Sequence, residues 1–147
     1  MQVLSVKAER CTGCHLCEES CSEAWFKVKD RAKSAIHIGE RPKADAPYTV
    51  IVCTQCGECI DVCPTKAIRR AAKGIVRIDK AKCVGCMACV GFCTIWAMRM
   101  HADELAPYKC VACGKCVKVC PENVLSIEKV EAPAVSETEK WAERVAA

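Results

Sequence analysis

Aromatic residues make up only 5% of the 147 residues, and glycine and proline number 7 and 6. Trp25, Phe26, Tyr48, Phe92, Trp96, Tyr108 and Trp141 supply too little bulky side chain to fill one ordinary core, and small cores bury proportionally less surface. A large single-core enzyme is excluded on that ground. No stretch approaches the ~18 consecutive apolar residues of a membrane-spanning helix. Met1 leads straight into Gln2-Val3-Leu4-Ser5-Val6-Lys7 without the basic, apolar and small-residue segments of a secretory signal, so a cytoplasmic location is expected. Nucleotide fingerprints are missing too, since neither G-x-G-x-x-G nor G-x-x-x-x-G-K-[ST] occurs. The basic runs Lys27, Lys29, Arg31, Lys33 and Lys66, Arg69, Arg70, Lys73 lack interleaved stacking aromatics, which favours a solvated or docking face over nucleic-acid binding.

What the chain has instead is cysteine, 16 of 147 residues, beyond the ~8–10% that already marks a strong compositional deviation. In a reducing compartment a repeated cysteine pattern points to metal rather than to disulfides. The cysteines fall at 11, 14, 17, 21, at 53, 56, 59, 63, at 83, 86, 89, 93 and at 110, 113, 116, 120. They form four copies of C-x2-C-x2-C-x3-C with none left over. This is the bacterial ferredoxin spacing for [4Fe–4S] clusters, in which three thiolates grip one cubane and the fourth ligates the neighbouring cluster. Zinc instead wants two separated Cys-x2–4-Cys hooks, which the i, i+3, i+6, i+10 spacing does not provide.

The motifs alternate between two types. The first and third carry Gly13 and Gly85 before the second cysteine, with Ser22 or Thr94 after the fourth; the second and fourth carry Gly57 and Gly114 after the second cysteine, with Pro64 or Pro121 after the fourth. Each two-cluster domain should hold one motif of each type. Sequential pairing and nested pairing both satisfy this rule. Gap lengths favour nesting, because the gap from Cys63 to Cys83 is shorter than that from Cys21 to Cys53. In the shorter gap, Ala67-Ile68-Arg69-Arg70 reads as a helix end and, after a Lys73-Gly74 turn, Ile75-Val76-Arg77-Ile78-Asp79 reads as a short hairpin. In the longer gap, residues 39–47 (G-E-R-P-K-A-D-A-P) read as a loop crossing between domains. The alternating segments Val3-Leu4-Ser5-Val6 and Val124-Leu125-Ser126-Ile127 are predicted to pair as antiparallel terminal strands.

The predicted fold is therefore α+β, with two bacterial-ferredoxin-like (βαβ)2 domains, one nested in the other, each holding two [4Fe–4S] clusters. Residues 1–38 and 100–130 form the outer domain, residues 48–99 the inserted one, and residues 131–147 a tail. Nesting assigns Cys11, Cys14, Cys17 and Cys120 to one cluster and Cys110, Cys113, Cys116 and Cys21 to its neighbour. The inserted domain uses Cys53, Cys56, Cys59 with Cys93, and Cys83, Cys86, Cys89 with Cys63. In the tail, Ser136-Glu137-Thr138-Glu139 reads as a capping box opening a short helix whose Trp141 and Val145 make an apolar docking stripe. His15, between Cys14 and Cys17, reads as a solvent-facing loop residue, and His37 and His101 give no constellation.

From Cys11 to Cys120 the chain resembles the four-cluster ferredoxin-type subunits of multi-subunit redox enzymes. Its shortness, the C-T-G-C-x-x-C-E-x-x-C-S start from Cys11 to Ser22 and the Ser34-Ala35-Ile36-His37-Ile38 strand resemble the small subunits of tungsten-containing aldehyde oxidoreductases. Related small subunits serve carbon monoxide dehydrogenase and tungsten benzoyl-CoA reductase. The resemblance implies a non-catalytic relay serving a catalytic large subunit of tungsten or molybdenum type, with a flavin/NAD subunit or a ferredoxin as the other redox partner, and with self-association open. It lacks the long insertions and C-terminal anchor of membrane-bound dehydrogenase relatives. A free polyferredoxin that diffuses between partners is the alternative, and a cluster-based sensor a distant third.

Four cubanes require about 16 iron atoms and as much sulfide per chain. Anaerobic iron and sulfide analysis of a fully loaded preparation is expected to return that content, and half of it would sink the four-cluster reading. Because ligands and fold form together, removing the iron is expected to abolish cooperative unfolding and most far-UV dichroism.

Overall fold

The computed structural model describes residues 1–43 and 46–131. Six short strands form three separate antiparallel pairs, and the helices between them are short. Strand β1 (Gln2–Val6) pairs with β6 (Leu125–Lys129) in the register Gln2↔Lys129 to Val6↔Leu125, which brings the two ends of the described chain together. The alternation of Leu4 inward with its neighbours outward explains why this edge pair is stable, since Leu4 and Leu125 are both 4% exposed. Strand β2 (His37–Lys43) pairs with β3 (Ala46–Ile51), and β4 (Ile68–Arg70) with β5 (Val76–Ile78).

Two local expectations are corrected. Ile68–Arg70 is the first arm of a hairpin rather than a helix end, because Lys66 takes a left-handed φ of 54° just before it and closes the preceding turn. Residues 39–47 are not a free crossing loop, for β2 and β3 occupy most of them as a hairpin. Pro42 and Pro47 signalled a loop, yet both fall where the register shifts between Glu40 and Lys43, the irregular spot at which a missing N–H disturbs no ladder. The expected strand beginning at Ser34 starts at His37.

Helix α1 (Leu16–Phe26) is the longest element among the described residues, opening from a left-handed His15 and closing on a left-handed Lys27 whose N–H reaches the Glu23 carbonyl. Its buried Glu18 is the anchor of the segment that follows. The Glu18 carboxylate accepts from the Ile38 N–H at 2.9 Å and from Arg31 Nε at 3.0 Å, and lies 2.5 Å from His15 Nδ1. Ser22 Oγ accepts from the Asp30 N–H at 3.2 Å while donating to the Glu19 carbonyl at 3.0 Å. Helix α1 continues past Cys21, so a proline at Ser22, as at Pro64 and Pro121, would break it. Helices α2 (Glu58–Val62) and α3 (Ala88–Gly91) are single turns, and in the fourth motif a 3-10 turn at Cys116–Lys118 takes their place.

The apolar side chains collect into two buried clusters. One gathers Leu4, Ala35, Ile36, Ile38, Val52, Tyr108, Val124 and Leu125 with cysteines from the first and fourth motifs and Cys53. The other gathers Ile60, Ala67, Ile68, Val76 and Met98 with Cys63 and Cys89. Each is too small to stand without its cysteines.

All four cysteine loops share one backbone device, and it explains the two motif types. Every loop takes left-handed φ two and four residues after its first cysteine: Gly13 and His15, Gln55 and Gly57, Gly85 and Met87, Ala112 and Gly114. Glycine fills one of the two places in each case, and in the first and third motifs space requires it there. A Cβ on Gly13 would overlap the Tyr48 ring, and one on Gly85 would overlap Leu105, whereas a Cβ on Gly114 would meet only Ile127 at 3.4 Å. Gly114→Ala therefore carries only the left-handed strain of about 1–2 kcal/mol and is expected to retain wild-type iron. Gly13→Ala adds the collision and is expected to lose iron, with Tyr48→Ala in the same chain restoring part of it. Iron analysis of the three purified variants checks this order.

Candidate iron–sulfur sites

The loops of the first, third and fourth motifs each deliver three thiols to one hollow, and the fourth cysteines of the first, second and fourth motifs line the hollow of a different motif. The second cysteines, Cys14, Cys56, Cys86 and Cys113, are all exposed, while Cys17, Cys89 and Cys116 are buried and Cys59 partly so. The third cysteine stands at a helical start in every motif, inside α1, α2, α3 or the turn at Cys116–Lys118. The fourth lies one turn further along and points away from its own loop.

Three hollows of similar size receive these thiols. A cavity of about 370 Å³ is lined by Cys11, Cys14 and Cys17 together with Cys120, and one of about 340 Å³ by Cys110, Cys113 and Cys116 together with Cys21. A third, of about 330 Å³, is lined by Cys83, Cys86 and Cys89 together with Cys63. For the second motif, Thr94 Oγ1 donates to Glu58 Oε2 at 3.3 Å, which sets the residue after Cys93 against the residue before Cys59. Cys93 packs against both apolar clusters.

The backbone aims N–H groups at these sulfurs. Cys53 Sγ accepts from the Gln55 N–H and Cys110 Sγ from the Ala112 N–H, both at 3.3 Å. Among the fourth cysteines, Cys63 accepts from Ala67 at 3.3 Å, Cys93 from Ala97 at 3.3 Å and Cys120 from Val124 at 3.4 Å, each donor four residues on. The left-handed residues Lys66, Trp96 and Asn123 turn the chain back to make this possible. Cys21 has no such turn, because α1 continues, and it takes its N–H from distant Ala35 at 3.4 Å. Bonds from N–H to a thiolate are charge-assisted, and they stabilise electron-rich sulfur.

Burial works against the charged thiolate. It pushes the Cys17, Cys59, Cys110 and Cys116 thiols up to about 12 and Cys89 up to about 11, with the Glu18 carboxylate adding to the effect at Cys17. At Cys63 burial also pushes upward, but the Thr65 hydroxyl and the N–H groups of Ala67, Ile68 and Thr65 outweigh it and the thiol falls below its ordinary value. Deep thiols raised this far are protonated at neutral pH unless a metal replaces the proton, so metal loading releases protons and acid weakens it.

The donor sets fit an iron–sulfur cubane. All the donors are thiols, soft ligands suited to iron–sulfur clusters, and each of the three hollows has four of them spaced around a common space. Among the described residues, no three His, Cys, Asp or Glu groups converge closely enough to hold a single metal ion.

Several functional residues escaped the sequence reading. His15 is not a free loop residue; its side chain is only 20% exposed and is held by Glu18 and by Arg31 at 3.1 Å. His37 Nδ1 lies 3.6 Å from Glu18 and His101 Nε2 lies 3.7 Å from Asp30, so both sit beside carboxylates rather than in ligand sets, and burial holds the His37 pKa below its ordinary value. Lys33 of the first basic run is tied to Asp103 at 3.3 Å. Arg70 of the second run donates to the Gln55 carbonyl at 2.9 Å and the Cys56 carbonyl at 3.1 Å, bracing the second loop. Gln55 and Lys109 are buried polar residues that bridge two motifs, and the available signal was a long polar side chain directly beside a ligand cysteine. The capping box and Trp141 stripe lie outside the described residues.

Comparison with known proteins agrees with this geometry. Two families, each described as a 4Fe-4S dicluster domain, match the chain, one over residues 10–67 and 52–97 and the other over residues 75–121. The polyferredoxin-like subunit of an aliphatic sulfonate oxidoreductase from Pyrococcus furiosus is 34% identical over 124 residues, covering 80% of this chain and 70% of that protein. The ferredoxin-like protein YdhX of Escherichia coli K12 is 29% identical over 144 residues, covering 86% of this chain, which spans 64% of YdhX. Among solved structures, the active site complex BamBC of benzoyl coenzyme A reductase with benzoyl-CoA contains a chain that superposes with a TM-score of 0.52 at 21% identity, covering 99% of this chain and 88% of that one. Among the described residues no helix is long and apolar enough to cross a membrane. With a dicluster match running from residue 10 to residue 97 and cysteine loops that repeat one backbone device four times, the chain belongs to the 4Fe–4S dicluster ferredoxin family.

Proposed function

We propose that the chain is an electron-transfer subunit that relays single electrons through four [4Fe–4S] clusters between a catalytic large subunit and a second subunit or carrier. The observation that carries this reading is the lining of the first cavity, where Cys120 from the far end of the described chain joins Cys11, Cys14 and Cys17. Such an arrangement is what a ligand exchanged between two motifs produces. The same logic assigns Cys110, Cys113, Cys116 and Cys21 to a second cluster, Cys83, Cys86, Cys89 and Cys63 to a third, and Cys53, Cys56, Cys59 and Cys93 to a fourth. The nested domains, residues 1–38 with 100–130 around residues 48–99, are supported by the pairing of β1 with β6, by that of β4 with β5, and by the two buried clusters.

When bound, a cubane ligated by four thiolates supplies one-electron storage and leaves no open coordination position. The chain's residues do the rest. The thiols fix the cluster positions, and N–H groups on Cys21, Cys53, Cys63, Cys93, Cys110 and Cys120 soften the added negative charge.

A bound subunit is favoured over a free carrier by the surface beside Cys93. Phe92, Ile95 and Trp96 are 66%, 38% and 71% exposed there, and an apolar patch of this kind next to a ligand marks a partner surface. The polyferredoxin-like subunit of an oxidoreductase from Pyrococcus furiosus supports an oxidoreductase large subunit as that partner, and the resemblance of the cysteine start to small subunits of tungsten aldehyde oxidoreductases points to a tungsten or molybdenum type. Affinity isolation of the chain from its own cells, with tungsten and molybdenum analysis of the co-eluting protein, tests this; a chain that elutes alone with full iron is a diffusing polyferredoxin.

Cys21→Ser tests the ligand exchange. The reading expects the spectroscopic component lost in this variant to be the one lost in Cys113→Ser, measured by electron paramagnetic resonance of the reduced proteins. Loss of the component missing from Cys56→Ser would establish sequential pairing instead.

A further inference from the structure

Lys109 is a buried lysine, 7% exposed, directly before Cys110. Its ammonium donates to Gln55 Oε1 at 2.8 Å and to the Cys110 carbonyl at 3.1 Å. Both acceptors are neutral. Among the described residues no Asp or Glu pairs with it. A buried ammonium is costly unless negative charge lies near it. Lys109 directly precedes Cys110 of the fourth motif, and its partner Gln55 stands between Cys53 and Cys56 of the second, so the charge is set beside two of the proposed sites at once.

Gln55 holds the cation in that place. It is fully buried at 0% exposure, and every polar group of its side chain is engaged across an element boundary. Nε2 donates to the Cys110 carbonyl at 2.8 Å, and Oε1 accepts from the Val76 N–H of β5 at 3.0 Å as well as from Lys109. Its own N–H meanwhile donates to Cys53 Sγ at 3.3 Å. One side chain thus ties the second motif, the β4–β5 hairpin and the fourth motif together, with the ammonium at the knot.

We propose that Lys109, positioned by Gln55, is a fixed internal positive charge that raises the reduction potentials of the two cluster sites it lies between, the one holding Cys53, Cys56 and Cys59 and the one holding Cys110, Cys113 and Cys116. This rests on the four-cluster reading above. Reduction adds one electron to each site, and a cation beside it favours the more negative form. The two sites then hold electrons more readily than those of Cys11, Cys14, Cys17 and of Cys83, Cys86, Cys89. Exposed Lys115, in the fourth loop itself, is screened by water and is expected to contribute little.

The test is an anaerobic potentiometric titration of the full-length, iron-loaded protein followed by electron paramagnetic resonance. Lys109→Met and Lys109→Gln are expected to lower the potentials of two of the four clusters by at least about tenfold in the one-electron equilibrium, about 59 mV. Lys109→Arg keeps wild-type values, as does Lys115→Met. Full iron with unshifted potentials in either neutral variant overturns the proposal, and so does an equal shift of all four clusters or a shift in Lys109→Arg as large as in Lys109→Met. If neither neutral variant retains iron, Lys109 is a structural tie and the proposal falls. Low iron in the wild type would overturn the four-cluster reading instead, so the two failures are distinguishable.

Discussion

The fold depends on where the fourth cysteine of each motif goes. Three thiols within seven residues can surround one hollow, but the fourth, a helical turn further on, faces a different one. In this chain that geometry carries Cys120 to the loop of Cys11 and Cys21 to the loop of Cys110. The ends of the described chain must then lie side by side, which is what the β1–β6 pair does over five residues. The same step carries Cys63 to the loop of Cys83, and the intervening residues have only to fold into a small hairpin. The strands are short because the ligands, not the sheets, fix the topology.

Burial and ligation pull against each other at these sites. The buried thiols held near 11 or 12 cannot shed their protons at neutral pH without compensation, and the two apolar clusters are small. The chain meets part of the difficulty with backbone N–H groups aimed at sulfur, obtained by holding residues such as Gln55, Lys66 and Trp96 in left-handed conformations. Each non-glycine residue so held stores roughly 1–2 kcal/mol of strain. Such strain is sustained only where surrounding structure over-determines it, and the repetition at equivalent places in the loops shows what that structure is.

The cysteine pattern, the paired ends and the alternation of motif types could be read from the sequence because spacing and period carry them directly. The hairpin at residues 37–51 could not, since Pro42 and Pro47 outweighed the alternating Ile36, Ile38, Tyr48 and Val50 in a local reading, and only the register shift reveals that both prolines are harmless. Ile68–Arg70 was obscure because three residues carry too little periodicity to separate strand from helix end. Glu18 and Gln55 were obscure for a different reason. Buried polar residues are recognised by their partners, and Glu18 finds Ile38 twenty positions away while Gln55 finds Cys110 fifty-five positions away. Nothing local announces such contacts.

These bridges also order the sites. Cys17 and Cys21 are one turn apart on α1, so that helix joins the hollow of Cys11 to the hollow of Cys110. Cys59 lies in α2 and Cys63 caps it, so that helix joins the second loop to the hollow of Cys83. Between these two pairs the covalent chain offers no comparably short link, and the gap is spanned by Gln55, whose N–H meets Cys53 and whose amide meets the carbonyl of Cys110. Gln55 and Lys109 thereby stand at the junction between the second and fourth motifs. On the proposed assignment, an electron passing between the cluster of Cys53, Cys56 and Cys59 and that of Cys110, Cys113 and Cys116 crosses this junction, where the buried ammonium of Lys109 is held. All four second cysteines are exposed while the polar junction between the second and fourth motifs is buried, and a relay between two partners needs both, contact at the surface and a fixed link inside.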